Sequence, residues 1–191
     1  MHRELTDDQL VELVVEGGEF RNARAYQALV ERYQEKVMAN CRYLSGSTTD
    51  AEDLAQEVFV KAYFGLASFQ GRAQFGTWLR RVKTNHCLNF VKRNKRAHVS
   101  VDDVAPDASE GLVVHARGER QAILRDERRR IDETLGAMTE TLRVPLVLRD
   151  MDEFSYQEIA EQLGIGLSAV KMRIKRGREE FRRIYEGLNA A

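Results

Sequence analysis

Apolar residues recur at three- and four-residue steps through most of the chain, and no useful stretch alternates with the two-residue period of a strand. Leu10, Leu13 and Val14 predict a short first helix, capped by Thr6-Asp7-Asp8 and closed by Gly17-Gly18. Tyr26, Leu29, Val30, Tyr33, Val37 and Cys41 predict a second, broken by Ser45-Gly46-Ser47-Thr48-Thr49. Asp50 opens a third, with Leu54, Val58 and Phe59 inward and Asp53, Gln56 and Glu57 largely outward. After a loop at Phe69-Gln70-Gly71-Arg72, a fourth starts near Phe75 and buries Trp78, Leu79, Val82 and Leu88. Periodicity lapses from about Ala97 to Gly118, where Pro106, Ser109 and Gly111 fall, and this reads as a linker. It returns at Glu119 with Ile123, Leu124, Ile131, Leu135, Leu142, Leu146 and Leu148. Pro145 requires a helix that starts just before it or bends there, because a helix-interior proline costs about 3 kcal/mol. The expected fold is all-α, with two helical domains (1–96 and 119–191) joined by a flexible linker at 97–118.

The end of the chain predicts a helix-turn-helix. Ser155-Tyr156-Gln157-Glu158 has the form of a capping box, in which serine and glutamate satisfy each other's backbone N–H groups. Ile159, Ala160 and Leu163 share one helical face, and Gly164 allows a tight turn. Ile165 plugs the angle, and Ser168 is expected to cap a second helix with Val170, Ile174 and Phe181 inward. Its other faces carry Lys171, Arg173, Lys175, Arg176, Arg178, Arg182 and Arg183, suited to a phosphate-lined groove. Gly177 within it costs about 1 kcal/mol relative to alanine. An ordinary helix pair with a solvated charged face is the plainer alternative, disfavoured by a run so nearly of one sign.

Charge changes the picture through its distribution. The 191 residues carry 30 basic and 30 acidic side chains, so the net charge announces no partner. Yet no acid falls between Arg72 and Arg96, no base between Asp50 and Glu57, and Asp102, Asp103, Asp107 and Glu110 lie beyond. Cys41 and Cys87 lack CxxC spacing and are expected as two reduced thiols on apolar helix faces. His2, His86, His98 and His115 are scattered, so neither a metal nor a cofactor is expected. Asp53 and Glu57 lie one turn apart, but no histidine accompanies them in sequence. A carboxylate hydrolase built on that helix would lack a nucleophile–base pair and a phosphate loop; the chain does not read as an enzyme. The N-terminus lacks a signal-peptide core and no apolar run approaches a membrane span, which predicts a cytoplasmic protein without membrane insertion.

The run Asp50-Ala51-Glu52-Asp53-Leu54-Ala55-Gln56-Glu57-Val58-Phe59-Val60-Lys61-Ala62-Tyr63, then Phe69-Gln70-Gly71-Arg72 to Phe75-Gly76-Thr77-Trp78-Leu79, Asn85 with its basic surroundings, and Ser155 to Arg178 stand in one order. Over nearly its whole length the chain resembles the extracytoplasmic-function sigma factors of bacterial RNA polymerase. The resemblance implies that the first domain binds core polymerase and the downstream (−10) promoter element, and the second reads the upstream (−35) element. It implies that Asp53, Gln56 and Glu57, with Asp50 and Glu52, face the polymerase clamp helices; Asp50 and Glu52 also suit the helix dipole. It implies that Phe69 to Gly71 and Asn85 help form a pocket for a base of opened DNA, with Arg72 and His86 beside them. Arg80, Arg81, Lys83, Lys92, Arg93, Lys95 and Arg96 read as backbone contacts, and Trp78 as core. Lys171, Met172, Lys175 and Arg176 match positions entering the upstream element, with Ser168 at the helix start. Arg173, Arg178 and Arg182 suit phosphate clamps or intramolecular pairs. Ala169 and Gly177 depart from the usual threonine and alanine, which leaves the promoter sequence open. The implied partners are core RNA polymerase, promoter DNA and an anti-sigma factor. A repressor or activator with the same helix-turn-helix is the rival; it would need a dimerisation or sensing region and leaves Asp50 to Tyr63 unexplained.

Overall fold

The computed structural model describes residues 4–17, 22–98 and 119–189. These form eight α-helices: α1 (Asp7–Glu16), α2 (Ala23–Ser45), α3 (Thr48–Gly65), α4 (Phe75–His98), α5 (Glu119–Ala137), α6 (Glu140–Asp150), α7 (Tyr156–Leu163) and α8 (Leu167–Asn189). A single 3-10 turn, Leu66–Ser68, follows α3. One compact unit carries α1 to α4 and a second carries α5 to α8. Of the expected linker, residues 97 and 98 complete α4, and 99–118 lie outside the described residues.

In the first unit, Thr6 accepts from the Gln9 N–H while the Gln9 side chain receives the Thr6 N–H, so α1 begins with both donors satisfied. Its buried face is Leu10, Val11 and Val14, packed on α2. Asp7 fixes that packing: Arg32 of α2 reaches it at 2.6 Å and the Tyr33 hydroxyl donates to it. Gly17 ends α1 with ordinary right-handed geometry, whereas Gly46, beyond α2, takes φ +75°. Helix α3 then starts at Thr48, which puts Asp50 inside its first turn rather than at its cap. Helix α2 packs along α4, burying Leu29, Val37, Cys41 and Leu44 on one side and Leu79, Cys87, Leu88 and Val91 on the other. Trp78 is half-buried, 5.2 Å from the Phe69 ring and 5.8 Å from Phe75, in an aromatic cluster that Tyr33 joins. Those rings carry the loop of residues 69–74 between α3 and α4.

In the second unit, α8 packs on α5, α6 and α7. Helix α6 starts at Glu140, well before Pro145, which sits buried in its interior. The proline removes the N–H that would bond the Thr141 carbonyl, and Thr141 is an exposed residue of the helix. The capping box of α7 is complete: Glu158 N–H to Ser155 Oγ is 3.2 Å and Ser155 N–H to Glu158 Oε2 is 2.9 Å. Gly164 ends α7 at φ +65°, the left-handed geometry the turn needs. Helix α8 begins at Leu167, with the Gly166 carbonyl accepting from Val170 at 3.1 Å. Ser168 is therefore an exposed residue of the first turn and not the expected cap.

Candidate functional site

On α3, Leu54, Ala55, Val58 and Ala62 face the core, which leaves Glu52, Asp53, Gln56 and Glu57 exposed and Asp50 half-buried. From Asp53, steps of three or four residues through Gln56 or Glu57 lead to Val60 and Phe64 along one stripe. Val60 is 56% exposed and Phe64 69%, so an apolar end continues the acidic one. Sequence reasoning overlooked these two; their phase with Gln56 was the available signal. Glu57 also reaches across to α4, its Oε2 lying 3.0 Å from His86 Nε2.

Helix α4 divides the basic residues by phase. Arg81, Asn85, Lys92 and Arg93 are exposed, Arg80 is half-buried, and Arg72 in the preceding loop is exposed. Lys83 and His86 are 3% and 9% exposed. Both lie on the face of Leu79 and Leu88 with their heads enclosed by the unit, whereas the resemblance places them toward DNA. Burial, then the positive charge of Lys61, holds the His86 imidazole below its ordinary range, against the opposing pull of Glu57. Side chains of Lys95 and Arg96 lie outside the described residues.

The loop of residues 69–74 forms one wall of a cavity of about 560 Å³. Phe69, Gly71, Arg72 and Gln74 line that side, and α1 contributes Asp8, Val11, Glu12, Val15 and Glu16. Asn85 does not line it. The pattern of α1 marked a core face, and gave no sign that its exposed edge would wall a cavity with carboxylates. Gly71, at φ +64°, lets the loop turn beside that space.

On α8, Val170, Ile174 and Gly177 point inward, leaving Ser168, Lys171, Met172, Lys175 and Arg176 exposed and Arg173 half-buried. A hollow of about 250 Å³ lies beside α7, lined by Tyr156, Lys171, Lys175, Arg178 and Arg182 among others. Its four cationic side chains, set against Glu179, leave a positive lining that suits a phosphate. Arg178 is already engaged. It grips Asp150 of α6 with two hydrogen bonds, 2.9 and 2.6 Å, which raise its pKa above the ordinary guanidinium value. Of the two roles the sequence leaves for Arg178, the intramolecular pair is the one formed among the described residues. Arg149 holds the entry of α7, its Nη1 donating to the Phe154 carbonyl at 2.8 Å and its guanidinium lying 4.9 Å from the Tyr156 ring centre.

Among the described residues no helix is long and apolar enough to cross a membrane. The model of sigma-70 region 2 matches residues 29–97, and that of sigma-70 region 4 matches 128–181. The chain is 35% identical over 185 residues to the ECF RNA polymerase sigma-E factor of Haemophilus influenzae, covering 94% of this chain and 95% of the relative. It is 36% identical over 185 residues to the factor of the same name from Escherichia coli K12, covering 94% of each. Among solved structures it resembles CnrH, determined in complex with the cytosolic domain of CnrY, with a TM-score of 0.55 and 25% identity over 95% of this chain and 97% of that one. It shares its fold with the sigma factor RpoE of Bartonella quintana, determined with the anti-sigma factor NepR, with a TM-score of 0.61 and 18% identity over 86% of this chain and 98% of that one. Region 2 and region 4 stand in order along a chain whose relatives match it nearly end to end, and the chain belongs to the extracytoplasmic-function sigma factors, alternative initiation factors that direct RNA polymerase to promoters, open the DNA and start transcription.

Proposed function

We propose that the chain divides this work between a core-binding and downstream-element domain at 1–96 and an upstream-element domain at 119–191, joined through 97–118. The exposed stripe of α3 carries the reading. Asp53, Gln56 and Glu57, helped by Asp50 and Glu52, meet a basic surface of core polymerase, and Val60 and Phe64 extend the contact with apolar area. Phe69, Gly71 and Arg72 receive a base of the opened strand in the cavity they share with α1. Asn85, Arg80 and Arg81 hold the neighbouring strand from α4, while Lys83 and His86 position that helix from inside. Lys171, Met172, Lys175 and Arg176 enter the groove of the upstream element; Ser168, Arg173 and Arg182 approach its backbone, and Arg178 braces α8 against α6. The protein acts in the cytoplasm as a stoichiometric factor and not as an enzyme. An anti-sigma factor restrains it, a reading supported by the complexes in which CnrH and RpoE were determined.

Reversing Asp53 and Glu57 together to Lys in the full chain tests the carrying observation. Capture by core polymerase should be lost while circular dichroism and the unfolding midpoint stay near wild type. Undiminished capture would remove α3 from the interface.

A further inference from the structure

The chain has two cysteines, 46 positions apart, and the fold brings them together. Cys41 of α2 and Cys87 of α4 are fully buried, with their sulfurs 3.5 Å apart. The expectation of two thiols on apolar helix faces holds for each residue alone and misses their meeting. A disulfide needs its sulfurs about 2.05 Å apart, so closure asks the two sulfurs to approach by roughly 1.5 Å. The Thr84 hydroxyl, one turn before Cys87 on α4, is buried without a hydrogen-bond partner among the described residues. It gives a small polar oxidant an unsatisfied hydroxyl to bond, in a core that also buries Asn40, Lys83 and His86.

From this juxtaposition we infer that Cys41 and Cys87 form a dithiol–disulfide site, oxidised by a hydroperoxide and reduced by a thiol. Local opening of the helix pair admits hydrogen peroxide. One thiol attacks it, giving a sulfenic acid and one water. The second sulfur then displaces hydroxide from the sulfenic sulfur, forming the disulfide and a second water. Two thiols lose two protons and two electrons, and the peroxide is reduced to two waters in total. The bond staples α2 to α4. If α4 opens promoter DNA, as the proposed function has it, stapling changes the packing beneath Asn85 and Arg81 and depresses that step.

The test treats reduced, folded full chain with hydrogen peroxide, traps remaining thiols with iodoacetamide and maps peptides without reduction. A linked pair containing Cys41 and Cys87, lighter by two hydrogens and cleaved by dithiothreitol, is expected in the monomer. Cys41→Ser and Cys87→Ser should each carry a dimedone-reactive sulfenic acid instead. Thiols that remain free in folded protein, a link formed only in denaturant, or dimers as the only linked product would each overturn the site. Runoff transcription with core polymerase should fall on oxidation and return on reduction, and the Cys41→Ser/Cys87→Ser protein should not respond. Full transcription by the linked monomer would overturn the regulatory consequence, whereas a reduced protein inactive with core would count against the proposed function and leave the disulfide site standing.

Discussion

His86 shows how one residue's role depends on helical phase. In sequence it stands inside an acid-free basic run, and linear charge alone turns it toward DNA. Leu79 was recognised as core, and counting four and seven residues on reaches Lys83 and His86, so their burial was legible but overridden by charge. The ion-pair distance to Glu57 was not legible, because it joins two helices whose packing no local pattern specifies. A pH dependence follows. The folded pKa of His86 lies below the ordinary 6.5, with burial as the main cause. On acidification the unfolded chain therefore takes up the proton first, and stability is lost as pH falls from about 6.5 through the lowered folded value. Urea midpoints measured from about pH 7.5 to about pH 5.5 should fall more for wild type than for His86→Gln. Glu57→Gln should steepen the fall, since it removes the carboxylate that favours the charged ring. Parallel curves for all three proteins would place the titrating group elsewhere.

The helix-turn-helix was legible almost to the residue, because the Ser155–Glu158 capping box and Gly164 are local devices that depend on little else. Pro145 and Gly177 were legible only as liabilities, and for Gly177 the reason lies on a neighbouring helix. A Cβ on Gly177 would stand 3.0 Å from the Leu142 carbonyl oxygen and 3.4 Å from Leu146 Cβ, both on α6. The glycine lets α6 and α8 approach closely, and the nearest obstacle is backbone that cannot swing aside. Gly177→Ala should therefore lose the roughly 1 kcal/mol that helix propensity offers and end with a net loss on the order of 1 kcal/mol from overpacking. Gly136 on α5 has nothing within 4 Å of its Cβ position and serves as the control. Gly136→Ala should gain up to about 1 kcal/mol, with less expected this near a helix end. Chemical denaturation of both variants decides the matter. An equal gain at both positions would mean that α6 and α8 separate without cost.

For the whole molecule, the ordered series of motifs made the family legible, while the cavity beside α1 was not, because a loop and a distant helix build it together. If each unit faces DNA, as proposed, what each reads without polymerase becomes a measurable question. Covalent geometry allows the roughly twenty residues after α4 to span on the order of 70 Å, at about 3.4 Å each. Promoter elements about one and a half turns apart lie roughly 50 Å from each other, so both can be engaged at once. Duplex DNA nevertheless offers the first unit little if, as proposed, its cavity receives a base out of the stack, since unstacking costs a few kcal/mol. The free chain should thus bind weakly, through the exposed basic face of α8 alone. Core polymerase, by holding the opened strands, should add the first unit's contacts and deepen the salt dependence. Lys175→Ala combined with Arg176→Ala should then weaken promoter binding with and without core, whereas Asn85→Ala should weaken it only with core, with permanganate reactivity lost at the downstream element. Gel-shift titrations of full-length variants at several salt concentrations measure this directly. Tight binding by the free chain, equally sensitive to Asn85→Ala and unchanged by core, would show the first unit reading duplex DNA on its own.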